Sequence, residues 1–315
     1  MTILHKILAA VSILVIGSTT LTGCTADDTS GPSLEAFPNA TGASSADVDD
    51  VPGLPEKNID QWVMPLDQYS TISDDKASVY AENLLVQPCM EAAGFSWNVP
   101  WRDLHATDGP SWSAAGSRIS NLDLAQKWGY HLAPATDASF TANRAFFDEK
   151  SSIGAAEDRA FTKCILAARK VLPLLPGSTQ VASGYVMAAW QGAMKEAAVV
   201  AAAARWRECM IPAGIPDLPE IPGEMPSPSV VQRFTITFVK STEPPTVSEG
   251  EIALATQDEN CLRSSRYSKT FYDAEWDRQV KLAAQNADAL ERVKVMLAKH
   301  DAAVAEVISS HAPNH

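Results

Sequence analysis

Beyond residue 61 the apolar positions recur mostly at helical spacing, and strand-like alternation is rare. Ser73 is placed to cap a helix running through Val79, Leu84 and Leu85 toward Cys89. Asp74 and Asp75 favour its electropositive start, and Pro88 is set to kink its end. A second helix is predicted over 155–171, stopped by Pro173 and Pro176. A third is predicted from Gln180 to Met210, dense in alanine, the best helix former. Residues 181–204 of it are mostly apolar, as a membrane span would be. Lys195 and Glu196 sit at the centre, however, and alanine gives little transfer free energy, so this stretch reads as a buried helix. Pro212, Pro216, Pro219, Pro222, Pro226 and Pro228 follow, a connection that no helix should survive. Phe234-Thr235-Ile236-Thr237-Phe238 alternates as a strand does. Ser248 and Glu251 form a capping box for a helix carrying Ile252, Leu254 and Cys261. The last element is a long helix from Asp273 to Ser309. Its apolar face is Leu290, Val293, Leu297, Val304 and Ile308, and Asp277 with Lys281 and Asp288 with Arg292 add acid-before-base pairs. The pattern predicts a mainly α fold.

The first 60 residues follow other rules. Met1 to Lys6 is a short charged start, Ile7 to Ile16 is an apolar run, and small residues come next, the layout of a secretory signal peptide. Leu21-Thr22-Gly23-Cys24 resembles the lipobox of bacterial lipoproteins at all four positions. The resemblance implies cleavage before Cys24, a diacylglycerol on its thiol, and residence at the outer face of the cell membrane. Each buried methylene of such a lipid contributes about 0.8 kcal/mol of anchoring. Residues 25–60 have few groups to bury and read as a disordered tether, spanning roughly 35 Å on average.

Processing would remove Lys6, one of 25 basic side chains, and none of the 38 acidic ones, taking the formal net charge from −13 to −14. Such acidity argues against nucleic acid, anionic headgroups and polyanionic wall polymers as main partners. The partners expected are the membrane, through the lipid on Cys24, and an envelope protein or cell-wall component.

Of five cysteines, Cys24 is taken by the anchor, leaving Cys89, Cys164, Cys209 and Cys261. An even set outside the cytoplasm points to two disulfides, and a zinc site would need ligands clustered more closely than these. An internal repeat bears on which of three connectivities holds. Cys89-Met90-Glu91-Ala92-Ala93-Gly94-Phe95 and Cys209-Met210-Ile211-Pro212-Ala213-Gly214-Ile215 share Cys-Met-x-x-Ala-Gly before an apolar residue. Each glycine falls where a helix end needs a left-handed residue. Acidic pairs, Glu157-Asp158 and Asp258-Glu259, precede the second cysteine of each half. Read as two copies of one helical unit, the chain pairs Cys89 with Cys164 and Cys209 with Cys261. The organisation expected is a signal peptide at 1–23, lipidated cysteine and tether at 24–60, disulfide units at 61–176 and 177–272, and a helix and tail at 273–315.

The Cys-Met-x-x-x-Gly-Phe element, with Lys127-Trp128-Gly129-Tyr130-His131-Leu132 after it, resembles a group of actinobacterial secreted and lipid-anchored proteins whose function is not known. The second copy departs from that pattern at Ile215 and lacks the Gly-Tyr-His-Leu element. The resemblance implies a compartment and a helical, disulfide-bonded build, and no activity.

Catalytic signatures are not apparent. The sequence has no G-x-S-x-G elbow, P-loop, dinucleotide fingerprint or H-E-x-x-H. Oxidised cysteines are not nucleophiles. His131 reads as a packed loop residue, and His300, His311 and His315 lie in a stretch ill suited to a shaped metal site. No cofactor, metal or catalytic residue is therefore expected. Trp97, Trp101, Trp112, Trp128 and Tyr130 crowd one region and form the candidate binding surface, with burial in a core as the competing account. The function expected is a non-catalytic binding or structural module of the cell envelope. The alternative is an envelope hydrolase acting on wall glycan or peptide through carboxylates such as Asp103 and Asp108.

Overall fold

In the computed structural model the described residues are 53–69, 75–106 and 121–313. They form ten α-helices and, among the described residues, no β-strand. The helices are α1 (Asp75–Ala92), α2 (Leu122–Trp128), α3 (Phe140–Lys150), α4 (Ala155–Val171) and α5 (Val181–Met194). After them come α6 (Ala197–Met210), α7 (Pro228–Phe234), α8 (Glu249–Ser265), α9 (Tyr267–Gln285) and α10 (Ala287–His311). No described helix is long and apolar enough to cross a membrane.

The disulfides join Cys89 to Cys164 and Cys209 to Cys261, stapling α1 to α4 and α6 to α8. Each staple lies beside its own core. Tyr80, Leu84, Met90, Trp97, Phe146 and Ala168 fill the smaller one. Trp206, Met210, Leu254, Leu262, Phe271 and Trp276 are at the centre of the larger. The repeat is visible in its local geometry. Gly94 and Gly214 both have positive φ, +86° and +66°, and Met90 and Met210 are both fully buried. Phe95 N–H donates to the Met90 carbonyl at 3.0 Å, the six-to-one bond of a glycine-ended helix. The acidic pairs do not correspond. Glu157 and Asp158, half-buried and exposed, lie in the first turn of α4, whereas Asp258 and Glu259 are buried within α8.

The cores are not divided along the sequence as the linear boundaries suggest. Helix α2 and Tyr130 pack with α8 in the larger core although they lie between Cys89 and Cys164. Helix α10 runs along both halves. Its Leu290 packs with Leu66, Ala182 and Ala283, and Val304 and Val307 pack with Ala81 and Leu172. Packing also begins before residue 60, the expected end of the tether. Leu54 and Ile59 lie against the larger core, and Asn58 N–H donates to Tyr272 Oη at 3.0 Å.

Helix α4 has the bounds read from the sequence, and Ser248 caps α8 by accepting from Glu251 N–H at 3.2 Å. Elsewhere the chain departs from its local pattern. The predicted 180–210 helix breaks at Lys195–Glu196, where Glu196 is extended. Arg278 of α9 reaches across Gly192 and bonds Glu196 Oε1 at 2.8 Å, at the site of the break. The predicted 273–309 helix is two helices meeting at Asn286. Its side chain accepts from Tyr185 Oη and donates to the Leu282 carbonyl, both at 2.8 Å. Pro228 opens α7 instead of preventing it, because a proline at the first helical position has no amide to lose. The strand expected at 234–238 is absent. Phe234 ends α7, Thr235 caps it in the left-handed region, and Ile236 N–H bonds back to the Val231 carbonyl. Ser73 and Asp74, expected at the start of α1, lie outside the described residues.

Closing a 52-residue loop by a disulfide removes denatured-state entropy worth about 4 kcal/mol. Replacing Cys209 and Cys261 together with alanine is expected to lower the unfolding free energy by about that amount, read from urea denaturation.

Candidate functional site

The expected aromatic surface is dispersed. Trp97 is buried in the smaller core, stacked on Phe161 at 5.0 Å and edge-on to Phe146 at 5.6 Å. Its indole N–H donates to Asn83 Oδ1 at 3.3 Å. Tyr130 is buried in the larger core. Trp101 and Trp128 are half-buried, the latter with Lys127 Nζ 4.9 Å from its ring centroid. Trp112, Cys24, Asp108 and His315 lie outside the described residues. Asp103 is engaged locally, accepting from the His105 and Ala106 amides at 2.9 and 3.1 Å. Among the described residues no three His, Cys, Asp or Glu side chains are grouped to hold a metal ion.

What the 127–132 element does is structural. Glu251 does not return to its own helix start as a capping-box glutamate does. Its carboxylate turns inward, accepts from Tyr130 N–H at 2.9 Å and lies 2.9 Å from His131 Nδ1. Gly129 has φ +57°, and a Cβ there would fall 2.5 Å from Glu251 Oε1, so glycine is required on both counts. Asp258, two turns along α8, accepts from Tyr130 Oη at 3.0 Å and from Trp206 Nε1 at 2.9 Å. These acids clamp the turn after α2 and the indole of α6 onto α8.

A third buried acid holds the segment at 58–67. On α9, Glu275 accepts from Trp62 Nε1 at 3.4 Å and from Gln279 Nε2 at 3.1 Å. Gln279 in turn accepts from Leu66 N–H at 3.0 Å, and Tyr272 donates to the Val63 carbonyl at 2.8 Å. Trp62 takes a left-handed φ of +51°, uncommon for a side chain of its size, and these bonds hold it there. Burial pushes the Glu275 carboxyl up to about 7, against the hydrogen bonds from Trp62 and Gln279 that favour the carboxylate.

Trp62 also forms part of the wall of a cavity of about 230 Å³. Trp190 and Met194 of α5, Ile221 to Glu224, Leu262 of α8, and Tyr267, Ser268 and Phe271 of α9 complete the lining. Phe271 and Leu262 are buried, while Gly223 and Glu224 are exposed, which places the mouth at the 222–224 turn. Tyr267 and Phe271 are one helical turn apart with parallel rings 5.9 Å apart, and Trp62 lies 5.9 Å from Phe271. Two polar groups face poor alternatives to a ligand. Tyr267 Oη donates only to a weak acceptor, Met194 Sδ, at 3.5 Å; burial, with Glu224 nearby, pushes its pKa up to about 12. Ser268 Oγ is buried with no hydrogen-bond partner. Buried hydroxyls are normally satisfied, so this enclosed one is an exception in the core. An apolar cavity with a few convergent polar groups is the usual form of a small-molecule site. Sequence reading missed it because residues 62, 190, 224 and 267 are distant in the chain. The one local signal was Tyr267 and Phe271 at helical spacing.

The position of Glu275 predicts a pH dependence. Its folded pKa of about 7 lies above the ordinary 4.5, so between these values the folded chain keeps a proton that the unfolded chain has released. Stability is therefore expected to fall as pH rises from about 4.5 to 7, by up to about 3 kcal/mol. Glu275→Gln keeps an oxygen for the indole and should flatten that slope, as urea midpoints at pH 5 and pH 8 would read. Parallel profiles for the two proteins would contradict it.

In comparisons with protein-family models, curated proteins and solved structures, nothing matched the chain.

Proposed function

We propose that the chain is a lipid-anchored, extracytoplasmic binding module of the cell envelope, and that it holds a small ligand in the cavity beside Trp62. The observation that carries the binding reading is the aromatic-walled cavity of about 230 Å³ beside Trp62, whose lining Tyr267 hydroxyl has only a sulfur as acceptor. Elsewhere in the same core, Trp206, Tyr130 and Glu251 have hydrogen-bond partners. Support for the anchor is the Leu21-Thr22-Gly23-Cys24 pattern. The two disulfides accord with an oxidising compartment. Glycoside hydrolysis commonly uses two carboxylates across one cleft, and among the described residues that line this cavity Glu224 is the single one.

Metabolic labelling with an alkyne fatty acid should mark the wild-type protein and not Cys24→Ala, which should appear in the medium; equal labelling would remove the anchor reading. For binding, a thermal-shift screen of small apolar and amphiphilic compounds is expected to raise the midpoint of the wild type. A ligand at 100 times its Kd adds about 2.7 kcal/mol. Ser268→Leu, which fills the cavity, should lose the response. A screen in which no compound stabilises the wild type selectively would overturn the binding reading.

A further inference from the structure

The lining of the cavity is chemically one-sided. Four aromatic side chains contribute to it, Trp62, Trp190, Tyr267 and Phe271, and aromatic faces are electron-rich. The one acidic side chain among the described lining residues is Glu224, exposed at the mouth, and none of them is basic. Behind the wall, Trp62 Nε1 donates to Glu275, which draws negative charge toward the indole. The chain as a whole carries a formal net charge of −13, so its long-range field attracts cations and repels carboxylates such as fatty acids. At about 230 Å³ the space is below the roughly 300–1,000 Å³ of pockets for drug-sized ligands.

Resting on the reading of this cavity as the ligand site, we propose that it takes a small organic ammonium cation of the quaternary type, whose head sits against the aromatic wall. Alkylated nitrogen suits these walls better than a primary ammonium. Methyl groups spread the charge over an apolar surface, and the head needs no hydrogen-bond acceptors that the rings do not offer. Glu224 supplies the counter-charge at the entrance.

The test uses the full chain with Cys24→Ala, disulfides intact, titrated with choline and with 3,3-dimethylbutan-1-ol, its neutral isostere. Calorimetry and the intrinsic tryptophan fluorescence, to which Trp62 and Trp190 of the cavity wall contribute, read the binding, with sodium chloride as the ionic-strength control. Choline is expected to bind at least about tenfold more tightly than the neutral isostere. Glu224→Gln, a change at an exposed position, should weaken choline by about threefold to tenfold and leave the isostere unaffected. Equal affinity for the two probes would overturn the ammonium assignment while leaving a binding cavity in place. No binding of either would also overturn it. The stabilisation screen then separates that failure from failure of the cavity as a site: hits among other compounds preserve the site, and their absence removes both.

Discussion

A carboxylate withdrawn from water must find hydrogen-bond donors, and that requirement on α8 and α9 organises the rest of this fold. Glu251, Asp258 and Glu275 are each 1% exposed or less. Leaving such a group unsatisfied costs more than a typical net hydrogen bond contributes, so each acid dictates which donor must come to it. The turn at 129–131 comes to Glu251, the indole of Trp206 and the phenol of Tyr130 come to Asp258, and the indole of Trp62 comes to Glu275. Apolar burial stabilises the larger core without direction. The acids supply direction, and they tie elements from three separate parts of the chain to one helical pair.

The alanine-rich helices gain from this arrangement. Alanine favours helix but buries little surface, so α5 and α6 have modest means of fixing their own position. Small faces instead let them approach α9 closely. The break between them is set by α9 as well, since Arg278 crosses at Gly192 to reach Glu196. The disulfides act on a different quantity. They restrict the unfolded chain, and their placement at the ends of α1 and α6 leaves the acid-directed contacts to define the folded one.

These distinctions explain what could be read in advance. Helix α4, the Ser248 cap, the left-handed glycines at 94 and 214 and the disulfide pairing were legible because each is written in a few neighbouring residues or in a repeat. The breaks at 195–196 and 286 were not, since each depends on a distant side chain, Arg278 in one case and Tyr185 in the other. Residues 234–238 alternate like a strand but contain a helix end, a cap and the first residues of a loop. The short helices α2 and α3 offer too few turns for a periodicity to show. Of the candidate site, little was visible. Aromatic residues near one another in sequence were parted between two cores, and the rings that line the cavity lie up to 209 positions apart, from Trp62 to Phe271.

Trp62 carries two of these roles at once, and that has a thermodynamic consequence. Its indole N–H is one of the bonds by which the segment from Leu54 to Tyr69 is held on α9, and its ring is part of the cavity wall. Docking of the segment completes the wall, so a ligand touching Trp62 favours the docked arrangement. Reciprocity then requires the docked segment to raise affinity for that ligand by the same factor. Glu275 sits on this link. Ionising its carboxyl strengthens the acceptor for the indole but leaves a charge in a place where burial opposes it, so the same proton bears on how firmly the segment is held and on the electron density of the ring facing the cavity. The segment that follows the expected tether in sequence thus contributes to the wall of the proposed binding cavity, through Trp62.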